Sequence, residues 1–430
     1  MTSTIILGGG IAGLSLASFL RCRTTVLERQ DCVGGLSRSY SIDGVDYDIG
    51  PHIIFSKNRQ VLDLHTTMVE TNQVRRSNQI LYKGRYVKYP FENDLGKLPA
   101  DDRDRCLQEF LHNPYEGYEA KNMLQFFLKT FGEGITHTYL QPYNQKIWKF
   151  DPSCMDVQMV ERIPKPPKED VIASASGVET EGYTHQLYFH YPKAGGFQTL
   201  VDAYARRACS NGEVRTKVEI SEIEREVSGW VVKTNQGEFR SSRLVNCMPL
   251  HELFKILPAP TDIQATLGRL LYNSIHIVML HVRRDTIGNH FALYIPDPDI
   301  LFHRLSKLNF LGESYCREGE ASTLMAEVTF RPGSYLSTLD RATVEGRVVH
   351  DLVNLGFIAR EDVVSVETRT EHYAYVIYDL DHRRNVDCVL GYLRERGIEC
   401  AGRFAEFEYL NTDGVVENTL RLAEQLNADD

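Results

Sequence analysis

The sequence predicts an α/β chain: a discontinuous dinucleotide-binding domain with an inserted helical domain and a mostly antiparallel β-sheet domain. Three observations predict it. An apolar run at Ile5, Ile6 and Leu7 enters the glycine-rich turn Gly8-Gly9-Gly10-Ile11-Ala12-Gly13, continues as a helix-like stretch to Leu20, and is followed by a second run ending at Glu28. Residues 58 to about 145 carry mainly helical periodicity. From Leu270 to about Phe330 the pattern turns into several apolar strands, such as SIHIVMLHV and STLMAEVTF.

The first element reads as strand, turn, helix, strand, the Rossmann-like unit. Gly8 allows the tight turn, Gly10 lets backbone N–H groups approach a pyrophosphate at the helix N-terminus, and Gly13 lets helix and sheet pack closely. Glu28 closes the second strand, where a carboxylate can accept from a ribose diol. A second glycine pair, Gly34-Gly35, follows. In flavoproteins sharing this fingerprint, such a pair brings backbone and small side chains to the pyrophosphate, here Gly35, Leu36 and Ser37. Arg29 and Ala12 are placed with the same cofactor set.

Composition narrows the rest. A chain of 430 residues with 42% hydrophobic and 25% charged residues is an ordinary globular protein with room for two or three domains. Its formal charge of −10 argues against nucleic acid as a partner, so an anionic ligand must be met by local arginines. Nine scattered cysteines without metal-ligand spacing suggest reduced thiols, no metal site and a cytoplasmic location. No run of 18 apolar residues calls for a membrane.

Further along, residues 43 to 56 alternate like short strands, with a sharp break at Gly50-Pro51-His52 where the chain can pass close to a planar ring. The piece ILYKGRYVKYP reads as a hairpin turning at Lys83-Gly84. Residues 164 to 184, rich in Pro, Ser, Gly and charge, read as a long, exposed, mobile loop, either a lid that closes over substrate or an ordinary linker. Short strands with turns at Ser228-Gly229 and Gln236-Gly237 follow a helix at Phe197 to Cys209. Helices are expected at Thr338 to Leu355 and near Val386 to Arg396. The expected division is 1–57, 190–250 and 365–430 for the dinucleotide-binding domain, 58–189 for the helical domain, and 251–364 for the antiparallel sheet.

Several separated segments together resemble the flavin-dependent UDP-galactopyranose mutases. They are DYDIGPHIIFSKN, YVKYPFENDLGKLP, PYNQKIWKFDPSCMDVQMVERIP, LFHRLSKLNF, YAYVIYD and GRFAEFEYLNTDGVV. The matches run in order from residue 4 to about 420. The resemblance implies FAD, active when reduced, with Gly402, Arg403, Asn411, Thr412 and Asp413 wrapping the flavin, the Val218 backbone at the adenine and His52 at the ring system. It implies that reduced-flavin N5 attacks the anomeric carbon of a nucleotide-linked hexopyranose, of galactose type, so that the ring can reclose as a furanose. Arg162 and Arg304 are the implied diphosphate ligands, Tyr375 and Tyr409 donate hydroxyls to it, and Trp148 borders the sugar. Lys165 is a weaker substitute for a second arginine found in many bacterial members, because lysine lacks the planar fork. The implied partners are a nucleoside-diphosphate sugar and an electron donor such as NAD(P)H or a reductase; a homo-oligomer is compatible with this picture.

One segment departs from the family. Where the eukaryotic-type pattern has Tyr-Pro-Phe-Gln-Asn-Asn, this chain reads Tyr89-Pro90-Phe91-Glu92-Asn93-Asp94. The family segment stacks uracil on the tyrosine and reads its edge with the glutamine amide, which makes Tyr89, Phe91, Glu92 and Asp94 substrate-binding candidates. An ionised carboxylate only accepts, whereas uracil offers one N–H flanked by two acceptors. Guanine offers two adjacent N–H groups, which favours a GDP-sugar over a UDP-sugar. The bland alternative has Glu92 in solvent or paired with a lysine. Two rival functions share the fingerprint: a flavin oxidase or desaturase of the amine-oxidase type, and a non-catalytic flavin-stabilised binding protein.

Overall fold

The computed structural model describes residues 2–163, 167–181, 187–317 and 322–429, excepting the side chains of residues 161 and 162. A five-stranded sheet runs in the order Ile398–Cys400, Arg243–Asn246, Ser3–Leu7, Arg23–Leu27, Gly212–Arg215. Every pairing in it is parallel. Its strands come from three separated stretches, so the unit that begins near residue 3 closes only at residue 400. The helix Ile11–Phe19 is buried from Ile11 through Ala17. Its small side chains permit this: Ser15 Oγ meets Thr419 Oγ1 at 2.8 Å in the buried interface with the last helix, Thr412–Ala428.

A seven-stranded sheet runs in the order Val363–Val376, Tyr272–Val282, Ser322–Phe330, Arg304–Lys307, Ala292–Tyr294, Asn78–Tyr82, Arg85–Lys88. It is antiparallel except where Ala292–Tyr294 meets Asn78–Tyr82. This redraws two expected boundaries. The hairpin at residues 78–88 does turn at Lys83-Gly84, both at positive φ, yet it extends this sheet instead of belonging to the helical region. The strand Val363–Val376 pairs along Tyr272–Val282 and likewise belongs here. Local periodicity shows that a segment is a strand; it does not show which sheet edge takes it.

The helical region is correspondingly smaller: Ala100–Leu111, Met123–Ile135, Gln141–Trp148 and Lys168–Ala175. The helix Arg59–Met68 instead sends Val61 into the core that contains Ile6 and Leu14. The stretch 164–184, expected as a loop, contains the helix Lys168–Ala175 with Val171, Ser174 and Ala175 buried. Pro167 caps its N-terminus, and Ser174 Oγ donates to the carbonyl of Glu92 at 2.8 Å, which anchors it. Residues 164–166 and 182–186, and with them Lys165, lie outside the described residues. Among the described residues no helix is long and apolar enough to cross a membrane.

Candidate active site

The dinucleotide cradle is built from glycines of two kinds, those that pack too closely for a Cβ and one that leaves space open. A Cβ on Gly13 would lie 2.1 Å from the carbonyl oxygen of Gly8, and Gly8 itself has φ +103°. At Gly10 a Cβ would meet nothing closer than 3.9 Å, so this residue faces an open slot toward Gly34 and Gly35. Gly10 is the N-cap of Ile11–Phe19 and supplies no side-chain cap, and Asn411 caps Thr412–Ala428 likewise without a side-chain hydrogen bond. The helix Ile11–Phe19 therefore presents first-turn N–H groups without a side-chain cap, the arrangement that holds anionic phosphates, whereas in the last helix the Asp413 carboxylate takes the Gly414 N–H. Gly402, at φ +111°, comes so close to the first helix that a Cβ would sit 2.8 Å from Ala12 Cβ. These cavities and donors fit FAD.

Several expected cofactor residues are occupied by the protein itself. Glu28 accepts the N–H groups of Gly9 and Gln30, each at 2.8 Å, and so ties the two turns together. Arg29 is exposed and pairs with Glu252 at 3.4 Å. Val218 is buried and donates its N–H to the carbonyl of Glu28 at 2.9 Å. Arg403, expected to wrap the flavin, donates to the carbonyls of Leu410 at 2.8 Å and Ala374 at 3.2 Å and lies over the Tyr409 ring. It braces the loop that carries Tyr409. Leu36 and Ser37 form the short turn after the glycine pair, and Asp413 is half-buried in the first turn of the last helix, its carboxyl raised by burial.

On one face of the seven-stranded sheet the registers bring polar groups into line. Arg304 is the cross-strand partner of both Tyr294 and Glu327, and Tyr375 is the partner of Asn273. Cross-strand partners share a face, and Asn273, Ile275 and Ile277 alternate onto the same side as Glu327. From the Tyr375 strand to the Tyr294 strand is four spacings, roughly 19 Å at about 4.8 Å each. Asn78, on the next strand, donates to Tyr294 Oη at 3.0 Å.

The inner end of this line is aromatic. Trp148 meets Tyr375 and Tyr409 edge-on, with centroids 5.7 and 5.5 Å away, while the two tyrosine rings stack at 5.8 Å. The indole is held by Asn144 Oδ1 at 2.9 Å, and Asn273 donates to the Trp148 carbonyl at 2.6 Å. Arg304 is bidentate on Glu327, through Nε and through Nη2 at 2.7 Å, and Glu327 is fully buried. The turn at Gly50 abuts this pair: a Cβ there would lie 3.4 Å from Glu327 Oε2. His52 thus faces two guanidinium groups, and burial first, then Arg403 and Arg304, push its imidazole down to about 3. It is neutral at physiological pH, with Nδ1 buried and unpartnered.

At the outer end Tyr89 lies 5.0 Å from Tyr294, which also meets Tyr143. Phe91, expected to touch substrate, is fully buried and stacks on Tyr139 at 4.9 Å, so its work is packing. Asp94 accepts the N–H of Lys88 at 2.8 Å and braces the hairpin exit. Glu92 is 2% exposed, and its Oε1 has no hydrogen-bond partner. The bland alternative therefore does not hold: no described lysine or arginine pairs with it, and it does not face solvent. Burial pushes its carboxyl up to about 7. Arg162 ends the short turn Val157–Arg162; its side chain lies outside the described residues.

The structure brings together His52, Arg304, Trp148, Tyr375 and Tyr409 from five distant segments. Glu327, Tyr294, Asn144 and Tyr143 belong with them and escaped the sequence reading. A signal existed for Glu327, a lone acid inside the apolar run STLMAEVTF.

Residues 11–384 match the family of flavin-containing amine oxidoreductases. The chain belongs to that family, and its cofactor is FAD. Among solved structures, reduced UDP-galactopyranose mutase has a TM-score of 0.90 at 23% identity, covering 100% of this chain and 96% of its own. A candidate protoporphyrinogen oxidase from Exiguobacterium sp. 255-15 has a TM-score of 0.78 at 16% identity, covering 100% of this chain and 99% of its own. A fatty acid isomerase from P. acnes that produces CLA has a TM-score of 0.64 at 16% identity, covering 99% of this chain and 98% of its own. All three share the fold, and its chemistry ranges from oxidation to isomerisation.

Proposed function

We propose that this protein is an FAD-dependent nucleotide-sugar mutase, an isomerase interconverting pyranose and furanose forms of a nucleoside-diphosphate hexose of galactose type. The observation that carries the reading is Arg304, pinned bidentately by buried Glu327 next to Trp148, Tyr375, Tyr409 and His52. An oxidase needs an apolar tunnel to the flavin; a fixed cation on an aromatic floor suits a sugar linked to phosphate. When bound and reduced, the flavin supplies a nucleophilic nitrogen to the anomeric carbon.

The chain's own residues do the rest. Glu327 fixes the plane of the guanidinium and leaves Arg304 Nη1 for a phosphate oxygen, a charge-assisted contact of about 1.5–3 kcal/mol. Such a contact stabilises the departing diphosphate and keeps it near the sugar. Tyr375 and Tyr409 add hydroxyl donors, Arg162 a second cation, and Trp148 a wall for the sugar. Neutral His52 offers a hydrogen bond without adding charge. Across the sheet face the nucleoside reaches the Tyr89 and Tyr294 rings, and Glu92 reads the base. As a carboxylate it suits guanine, which supports a GDP-sugar over a UDP-sugar.

The test is to incubate the reduced protein with UDP- and GDP-hexopyranoses and separate the products. A furanose formed only after reduction, by dithionite, NAD(P)H or a reductase, supports the mutase; oxygen-dependent peroxide without sugar turnover supports the family's oxidase chemistry instead.

A further inference from the structure

Outside the residues assigned to substrate, one side chain joins the segments that carry them. Tyr378 is 6% exposed and lies three residues beyond Tyr375, just past the end of the long strand. Its hydroxyl accepts the N–H of Tyr409 at 2.9 Å and donates to Glu408. Its carbonyl accepts the N–H of Asp156 at 2.9 Å. Asp156 is the N-cap of the turn Val157–Arg162, its side chain accepting from Gln158 N, and Met155 bridges to Asp379 beside it.

The loop held by the hydroxyl requires holding. Phe407 is fully buried at φ +53°, a left-handed conformation that a bulky side chain adopts only under constraint. The constraint is visible. His382 stacks on the Tyr378 ring at 3.9 Å and bonds the Phe407 carbonyl through Nε2 at 2.9 Å, while Arg383 and Tyr378 both hold the Glu408 carboxylate. One aromatic residue therefore ties together the strand of Tyr375, the loop of Tyr409 and the turn that ends at Arg162.

We propose that Tyr378 is a positioning residue, which aims the Tyr409 ring at substrate and registers the Tyr409 loop against the turn carrying Arg162. The inference rests on the nucleotide-sugar reading. Without that hydroxyl the Tyr409 N–H loses its bond to Tyr378, and the Glu408 carboxylate loses the Tyr378 donor that it shares with Arg383. The ring then drifts from the Trp148 and Tyr375 faces, and whatever its hydroxyl donates to a diphosphate is lost.

A double-mutant cycle on the FAD-loaded protein tests this, with UDP and GDP titrated by calorimetry. Tyr378→Phe keeps the stack on His382 and is expected to weaken binding of the preferred nucleotide roughly 5- to 10-fold, the size of one lost hydrogen bond of about 1 kcal/mol or slightly more. Tyr409→Phe removes the hydroxyl being aimed, and in that background Tyr378→Phe is expected to add less than about 2-fold. A residue serving only the fold would weaken both backgrounds equally, so additive losses overturn the proposal, as does unchanged binding in Tyr378→Phe. Should that variant fail to retain FAD, Glu408→Ala, which removes the carboxylate that orients the Tyr378 hydroxyl, carries the same cycle with the same two readings. Wild-type protein that binds neither nucleotide overturns the substrate reading together with this one; wild-type binding with additive losses overturns this one alone.

Discussion

Replacing Glu92 by glutamine changes one atom in a buried place where its charge is costly, so the consequences can be worked out with sign. The carboxyl is raised from 4.5 to about 7 by burial. The folded protein therefore binds a proton that the unfolded chain has released, and stability falls as pH rises from 4.5 through 7. Above that range the ionised group costs about 3 kcal/mol. Glu92→Gln removes the cost, so the variant is expected to match wild type near pH 4.5 and to exceed it by about 3 kcal/mol at pH 8. For 430 residues the unfolding entropy is roughly 0.9 kcal/mol per kelvin, so the gain appears as roughly 3–4 °C in Tm at pH 8. Nucleotide preference moves too. GDP binding requires the carboxylate, so its affinity rises with pH up to about 7 and then levels, whereas the neutral acid can serve uracil as a glutamine does. The glutamine variant is expected to lose roughly 10-fold or more in GDP affinity while UDP affinity becomes independent of pH. Differential scanning between pH 5 and 8, with calorimetric titration of both nucleotides, reads both effects. An unaltered ratio of GDP to UDP affinity in the variant would refute the assignment of Glu92 to the base.

Arg304→Lys exchanges a fork for a point charge that cannot hold Glu327 bidentately and a phosphate at once; kcat/KM for the sugar nucleotide is expected to fall roughly 100-fold, measured by furanose formation. Gly402→Ala forces a Cβ within 2.8 Å of Ala12 Cβ at φ +111°, so purified protein is expected to carry several-fold less FAD by its absorbance ratio. His52, pushed down to about 3 by burial and then by Arg403 and Arg304, is expected to show no NMR titration between pH 5 and 8. Because the unfolded chain takes that proton near 6.5, His52 costs stability progressively as pH falls from 6.5 toward 3, and His52→Asn is expected to flatten that acid limb in urea unfolding.

The opening unit was legible because its constraints are local. Gly13 answers to Gly8 and Ile6 and Gly9 to Glu28 at the end of the next strand, and the hairpin turn at Lys83-Gly84 is as local; Gly8 alone of these lies against a distant partner, Cys247. Helix ends were found within about three residues for Gln198–Ala208 and Arg341–Asn354. The stretch 164–184 misled because proline and serine mark turns equally well before a helix, and Lys168–Ala175 is held by Ser174 on Glu92, a partner 82 positions away. Arg403 and Asp94 were placed on ligands by their segments, yet both spend their charge on backbone groups.

The sequence by itself determined the dinucleotide unit, and its resemblance to a flavin family implied the candidates His52, Arg304, Trp148, Tyr375 and Tyr409, since the order of motifs along the chain survives without coordinates. Tertiary structure decided which of them meet. Only sheet register puts Arg304 opposite Glu327 and aligns Tyr294 and Asn78 beyond it. Only packing made Glu92 a buried acid with no cation beside it among the described residues, and only the third dimension made Tyr378 the tie between segments at 156, 375 and 409. The physical reason is common to all three: burial and pairing energies depend on neighbours distant in the chain, which no local pattern encodes.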